Sequence, residues 1–258
     1  IHVEAGGGSG SQAAINDADI RDMIGKGSTA QNAFNEYYGV SAAAPVATYK
    51  GRTLTTGNGF PTGNVTLSSG SKLVVVTCQL AGGGNTYVNV GGVSATLAAK
   101  MDTVPTGGVW GAGLTSAVYY LVTSASGSTQ ITGNGGSGRS VTHVWEITGY
   151  NSSTPTATAS AQNTDNTSFS KTISLSTQYN GVTIGSGITE DTNPAASVTV
   201  SNSDTIQQID LESATNHFCW DDEGTASGTT SYNCVQNNPA SNIVAGSTIM
   251  QLAAAHWK

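Results

Sequence analysis

The chain has 258 residues, of which 37% are hydrophobic and only 10% charged, with a formal net charge of -7. Nine Lys plus Arg, spread thinly, leave no basic stripe to neutralise phosphates, so nucleic acid is not an expected partner. No apolar run approaches the roughly 18–20 residues of a membrane helix, so no membrane partner is expected either, and the surface must be built from Ser, Thr, Asn and Gly. At this length either one large β domain or a small module followed by a β domain is possible.

The first segment, IHVEA at 1–5, is a short strand candidate followed by the glycine-rich run GGGSG at 6–10. The flexible run would let that arm extend and pair with a neighbouring subunit by strand addition. No positive region followed by an apolar stretch stands at the front, so no signal segment is in view.

A helix is predicted next. Asn16 can cap it, Asp17 and Asp19 suit the positive end of its dipole, and Ile20, Met23 and Ile24 share one face. Gly25 and Gly27 stop it. Ser28 and Gln31 form a capping box for a second helix, whose apolar face is Ala30, Ala33, Phe34 and Tyr37, with Tyr38 beside it and Gly39 at its end. Helices of this length are marginal alone, so Ile20, Met23, Ile24, Phe34, Tyr37 and Tyr38 are candidate anchor residues that need a surface to dock on.

The run INDADIRDMIGKGSTAQNAFNEYYG resembles a short module of tailed-bacteriophage structural proteins, matching it at Asp19, Ile20, Arg21, Gly25, Gly27, Ser28, Phe34, Tyr37, Tyr38 and Gly39. The module's usual small or Met residue in the second helix is here Asn32 or Ala33. The resemblance implies a virion component, tail- or fibre-associated or a decoration protein, and carries no catalytic residues.

SAAAPVAT at 41–48 reads as a linker, which divides the chain into an anchor module at 1–44 and a β domain at 45–258. Strands are then predicted at KLVVVTCQL, TYVNVGG, SATLAAK, SAVYYLV, STQIT, RSVTHVWEITG, FSKTISLS, GVTIGSGI, ASVTVS, TIQQIDLES, HFCWD, TSYNCV and STIMQLAAAHW. RSVTHVWEIT alternates Val141, His143, Trp145 and Ile147 against Thr142, Val144, Glu146 and Thr148, the pattern of a half-buried strand. So many short strands without a long helical pattern predict a jelly-roll-like two-sheet β-sandwich. No repeat of constant period is evident, which argues against a propeller or a β-helix. The segment 72–160 also resembles a β module of uncharacterised phage and bacterial proteins, one that names no activity.

Chemistry-bearing residues are sparse. Cys78, in LVVVTCQL, reads as a buried strand thiol. Cys219 and Cys234 flank a segment that could be a hairpin, which makes them a candidate disulfide. QIDLE at 208–212 is similar to the three-acid strand of jelly-roll β-glucanases, but its first acid is replaced by Gln208, and an amide cannot serve as the nucleophile. Asp221, Asp222 and Glu223, and separately Glu190 and Asp191, are acidic clusters expected in loops. Successive acids point different ways, and no calcium-loop spacing accompanies them. His143, His217 and His256 share no metal-ligand spacing, and no G-x-S-x-G elbow occurs. The glycine-rich run at 133–138 lacks the Lys of a phosphate loop.

These features lead to the expectation of a non-enzymatic virion structural protein with no cofactor and no metal. Its partners would be other virion proteins and further copies of itself, a trimer being common among outward-facing virion β domains, with a host-surface glycan as a further contact. It would assemble in the host cytoplasm and then be extracellular in the particle. The competing expectations are a carbohydrate-binding or glycoside-hydrolysing jelly roll and a bacterial surface adhesin.

Overall fold

The computed structural model describes residues 44–258 apart from 57–60, 82–85, 103–112, 134–137, 164–168, 191–196, 212–214 and 238–249. The chain divides into two units, Ile1–Ala44 and Pro45–Lys258. The predicted helix pair, with Ile20, Met23, Ile24, Phe34, Tyr37 and Tyr38, and the arm at 1–5 lie outside the described residues.

Described residues of the second unit are mainly β, and the strand pairings are antiparallel. Its first part contains β1 (Val46–Thr55), β2 (Thr62–Leu67), β3 (Lys72–Ala81), β4 (Val88–Val90), β5 (Val93–Ser94), β6 (Thr96–Asp102), β7 (Leu114–Thr123), β8 (Gly127–Gly133) and β9 (Ser140–Thr148). Its second part contains β10 (Ala157–Asn163), β11 (Ser170–Thr177), β12 (Val182–Glu190), β13 (Ser197–Val200), β14 (Thr205–Leu211), β15 (Thr215–Glu223), β16 (Gly228–Asn237) and β17 (Met250–Trp257). The linker expected up to residue 48 ends sooner, because Val46–Thr48 already pair with Glu146–Thr148 in β9.

Four sheets form in place of the two that were expected. Sheet A has the order β1-β9-β3-β7-β6 and sheet B the order β2-β8-β4-β5; sheet C is β10-β17-β12-β15-β14 and sheet D is β11-β16-β13. Three large hydrophobic cores join them in the layer order B, A, C, D, and a small cluster of Ala81, Leu114 and Ile188 adds to the A–C contact. Val74, Val76 and Cys78 of sheet A meet Val65, Val88 and Ile131 of sheet B in one core. Leu73, Val75 and Trp145 of sheet A meet Ile184, Cys219, Ala253 and Trp257 of sheet C in a second, the seam between the two parts. Phe218, Trp220 and Leu252 of sheet C meet Ile173, Leu175 and Tyr232 of sheet D in a third.

The residue patterns follow from this stacking. A sheet covered on both faces cannot alternate apolar with polar, and β3 (KLVVVTCQLA) and β17 (MQLAAAHW) are buried at every position. Outer sheets keep one wet face, and β2, β8 and β11 alternate accordingly. β9, read above as half-buried, is buried on both faces from Ser140 to Ile147, since it lies inside sheet A between two other layers.

The two parts repeat one strand order. If β10, β11, β12, β13, β14, β15, β16 and β17 are matched to β1, β2, β3, β4, β6, β7, β8 and β9, sheet C reproduces sheet A strand for strand, and sheet D reproduces β2-β8-β4 of sheet B. Left-handed turn residues recur at the same junctions: Gly70 and Asn180 before β3 and β12, Gly92 and Asn202 after β4 and β13, and Gly127 and Gly228 opening β8 and β16. The unit is therefore a duplicated sandwich whose copies are joined back to back through their five-stranded sheets. The duplication escapes a search for constant period because the intervals differ, 110 residues from Asn180 back to Gly70 and 101 from Gly228 back to Gly127.

Candidate functional site

The three histidines among the described residues are all fully buried. His143 on β9 points into the seam, where its Nδ1 lies 3.1 Å from the Tyr49 hydroxyl. His217 on β15 enters the same seam from sheet C, and its Nε2 lies 2.9 Å from the Thr215 hydroxyl. The second ring nitrogen of each, Nε2 of His143 and Nδ1 of His217, has no hydrogen-bond partner. Burial, with the nearby Arg52 guanidinium, lowers the His143 pKa to about 3. Burial, with His143 and Arg139, lowers that of His217 to about 3. His256, on the other face of sheet C, accepts the Gln178 amide at 3.0 Å on Nε2 and bonds Thr183 at 3.0 Å through Nδ1; burial lowers its pKa to about 4.

The same seam holds a fully buried run of neutral polar groups. Gln79 donates to Ser186 Oγ at 2.8 Å and to the Phe218 carbonyl at 3.2 Å, and Ser116 donates to Ser186 at 2.8 Å. Thr77, Gln79 and Ser116 are the polar continuation of the β3 and β7 faces that carry Leu73, Val75 and Val118 nearer the other end. The polar network therefore lies within the seam between two apolar clusters, the larger one with Leu73, Val75 and Val118 and a small one of Ala81, Leu114 and Ile188.

Each of the three large cores holds one cysteine: Cys78 between sheets A and B, Cys219 in the seam, and Cys234 between sheets C and D. All three thiols are free, so the candidate disulfide between Cys219 and Cys234 is not formed. The physical reason is topological. β15 and β16 follow one another in sequence but belong to different sheets, so their cysteines enter different cores and do not oppose each other as in a hairpin. Burial raises the pKa of all three thiols, that of Cys78 to about 12, which suppresses the thiolate that nucleophilic chemistry needs.

Asp221, Asp222 and Glu223 lie on the last residues of β15, not in a loop, and Glu190 ends β12. Strand alternation sends Asp222 toward sheet D, where it accepts the Tyr232 hydroxyl at 2.7 Å, and sends Asp221 and Glu223 the other way. Asp221 accepts the Thr205 hydroxyl, and Glu223 accepts the Ala47 amide at 2.5 Å, tying the second sandwich to the first. Burial, with Glu223 and Asp204 nearby, raises the Asp221 pKa to about 6. Gln208 of the QIDLE strand uses its amide on the Val198 amide at 2.8 Å and on Asn216 at 2.9 Å. These side chains hold neighbouring strands together. Among the described residues no group of three or more His, Cys, Asp or Glu is placed to hold a metal ion.

What the unit offers outward is different in kind. The exposed face of sheet B presents Thr62, Asn64, Thr66, Ser128 and Gln130, and no strand of that sheet carries a charged residue. The exposed face of sheet D presents Thr172, Ser174, Ser231, Asn233 and Thr199. Side-chain hydrogen bonds run across its strands, between the Ser174 and Ser231 hydroxyls at 2.8 Å and from the Thr172 hydroxyl to Asn233 Oδ1 at 3.2 Å. The only charged residue of sheet D's strands, Lys171, falls on the inward-facing set with Ile173 and Leu175. The candidate functional surface is therefore a pair of equivalent neutral faces rich in hydroxyl and amide groups. The low charge fraction signalled such a surface in the sequence, but not its division into two faces. Comparison with protein-family models, with curated proteins and with solved structures finds no match.

Proposed function

We propose that the chain is a non-enzymatic structural component of a bacteriophage particle, with the segment before Pro45 as its attachment to the virion and the duplicated β unit as its outward-facing body. Each half of that body is a jelly roll in this reading, its strands divided between a five-stranded inner sheet and a smaller outer one. One observation carries the non-enzymatic part. The described histidines and cysteines, where proton transfer or nucleophilic chemistry would be sought, are buried inside the unit, while the outer faces of sheets B and D are hydroxyl and amide fields. The attachment part rests on the resemblance of residues 15–39 to the phage module and on the apolar faces that the sequence predicts for two helices too short to stand alone.

The neutral outer faces favour one further reading, contact with an uncharged glycan through hydroxyl and amide hydrogen bonds. The strands of sheet B and the outward positions of sheet D carry no aromatic ring on which a sugar would stack, so such contact would be weak.

Removal of residues 1–44 separates attachment from folding. The shortened chain is expected to remain folded, with a β-type circular dichroism spectrum and unchanged unfolding, but to be missing from purified particles when quantified by mass spectrometry beside the full chain. Incorporation of both forms at the same copy number contradicts the attachment role.

A further inference from the structure

The seam between sheets A and C brings together one histidine from each sandwich, both fully buried, each with one ring nitrogen hydrogen-bonded and the other unpartnered. We propose that this pair makes the seam an acid-labile joint: protonation of His143 and His217 separates the five-stranded sheets while each sandwich keeps its own core.

The groups facing the pair decide the sign. From β1 come Tyr49, a neutral phenol at neutral pH, and Arg52; from the turn before β9 comes Arg139; and β15 itself adds Cys219 and Asp221. The described side chains that β3, β7 and β12 turn to this part of the seam, Thr77, Gln79, Ser116 and Ser186, do not titrate. Burial acts most strongly on both rings, and the neighbouring charges acting with it, Arg52 on His143 and Arg139 on His217, are cationic. An imidazolium here would face burial, an arginine and the other imidazole at once, with an N–H left over on each ring. In the opened state both rings meet water and bind protons with ordinary affinity. Below about pH 6 the opening equilibrium is then favoured by up to roughly a hundredfold per pH unit for two such groups.

Opening the seam alone is feasible because the other two cores are separate. The A/B core contains no histidine, and in the C/D layer His256 has both ring nitrogens occupied. The three cysteines report on the three cores individually, with Cys219 in the seam, Cys78 in A/B and Cys234 in C/D.

Labelling of the intact chain with a dipyridyl disulfide, which reacts with thiols in acid, tests the joint. Between pH 7 and pH 5 the rate at Cys219 is expected to rise at least tenfold while Cys78 and Cys234 stay protected, as mapped by mass spectrometry of peptides. In a His143→Gln, His217→Asn double variant the rise at Cys219 should be absent. Simultaneous labelling of all three thiols overturns the proposal, as does no rise at Cys219 or an equal rise in the double variant. Should that variant fail to fold, the pattern across the three thiols of the unaltered chain decides alone.

Discussion

Alanine at Gly185 is expected to destabilise the protein by about 3 kcal/mol or more, a large part of the roughly 5–15 kcal/mol that holds a typical domain folded. Gly185 on β12 sits directly opposite Trp220 on β15, and the indole lies over the bare glycine backbone. A Cβ added there would fall 2.0 Å from the ring, and one added at Gly187 would fall 2.1 Å from Phe218. The indole has nowhere to retreat. It is fully buried, 6.1 Å from the Phe218 ring and 5.9 Å from Tyr232, which is itself held through its hydroxyl by Asp222. A lower urea midpoint at unchanged slope would report the loss. Trp220→Leu in the Gly185→Ala background should recover at least about 1 kcal/mol relative to the sum of the single changes, because the two residues occupy one space. A change below about 0.5 kcal/mol for Gly185→Ala would mean that the ring does not lie over that strand.

Acidification from pH 7 to pH 5 should weaken the fold by an amount of similar size. Native His143 and His217 bind protons only near pH 3, whereas the unfolded chain binds them near 6.5. Between those values the unfolded state carries more protons, so stability falls as pH falls and is fully present only above about 6.5. Each of the two contributes about 2 kcal/mol to the loss by pH 5, about 4 kcal/mol together. His256 has the same sign. Asp221 has the opposite one. Its native pKa near 6 exceeds the unfolded value of 3.8, so between these values the native state holds the extra proton and gains stability as pH falls, offsetting part of the histidine effect. Urea titrations at pH 7, 6 and 5 check the net sign, and a midpoint that rises toward pH 5 would contradict it.

Strands that carry strong apolar signals were legible in the sequence, and those that do not were missed. KLVVVTCQL, SAVYYLV and STIMQLAAAHW correspond to β3, β7 and β17, all in the inner sheets. β1, β2 and β10 were not foreseen: VATYKGRTLT looks like a continuation of the linker, TGNVTL is short with only two apolar residues, and ATASAQN lacks the β-branched and aromatic residues that mark a strand. All three are edge strands, where pairing on one side suffices and composition is least constrained.

The same inner and outer distinction explains the misjudged disulfide and the missed layer count. Alternation in FSKTISLS and continuity in LVVVTC encode one and two covered faces, respectively, yet neither says which other sheet does the covering. The histidine pair was invisible for a related reason. His143 and His217 lie in different copies of the duplicated sandwich and meet only because the copies stack back to back.

That stacking is most directly tested by breaking the chain between the two sandwiches, after Gly149, and co-expressing the two pieces. If the seam is a specific interface of sheets A and C, the pieces will co-purify as a one-to-one complex with the tryptophan fluorescence of the intact chain, reporting a restored Trp145 and Trp257 environment. Pieces that elute separately as folded monomers would contradict the duplicated, back-to-back arrangement on which this account rests.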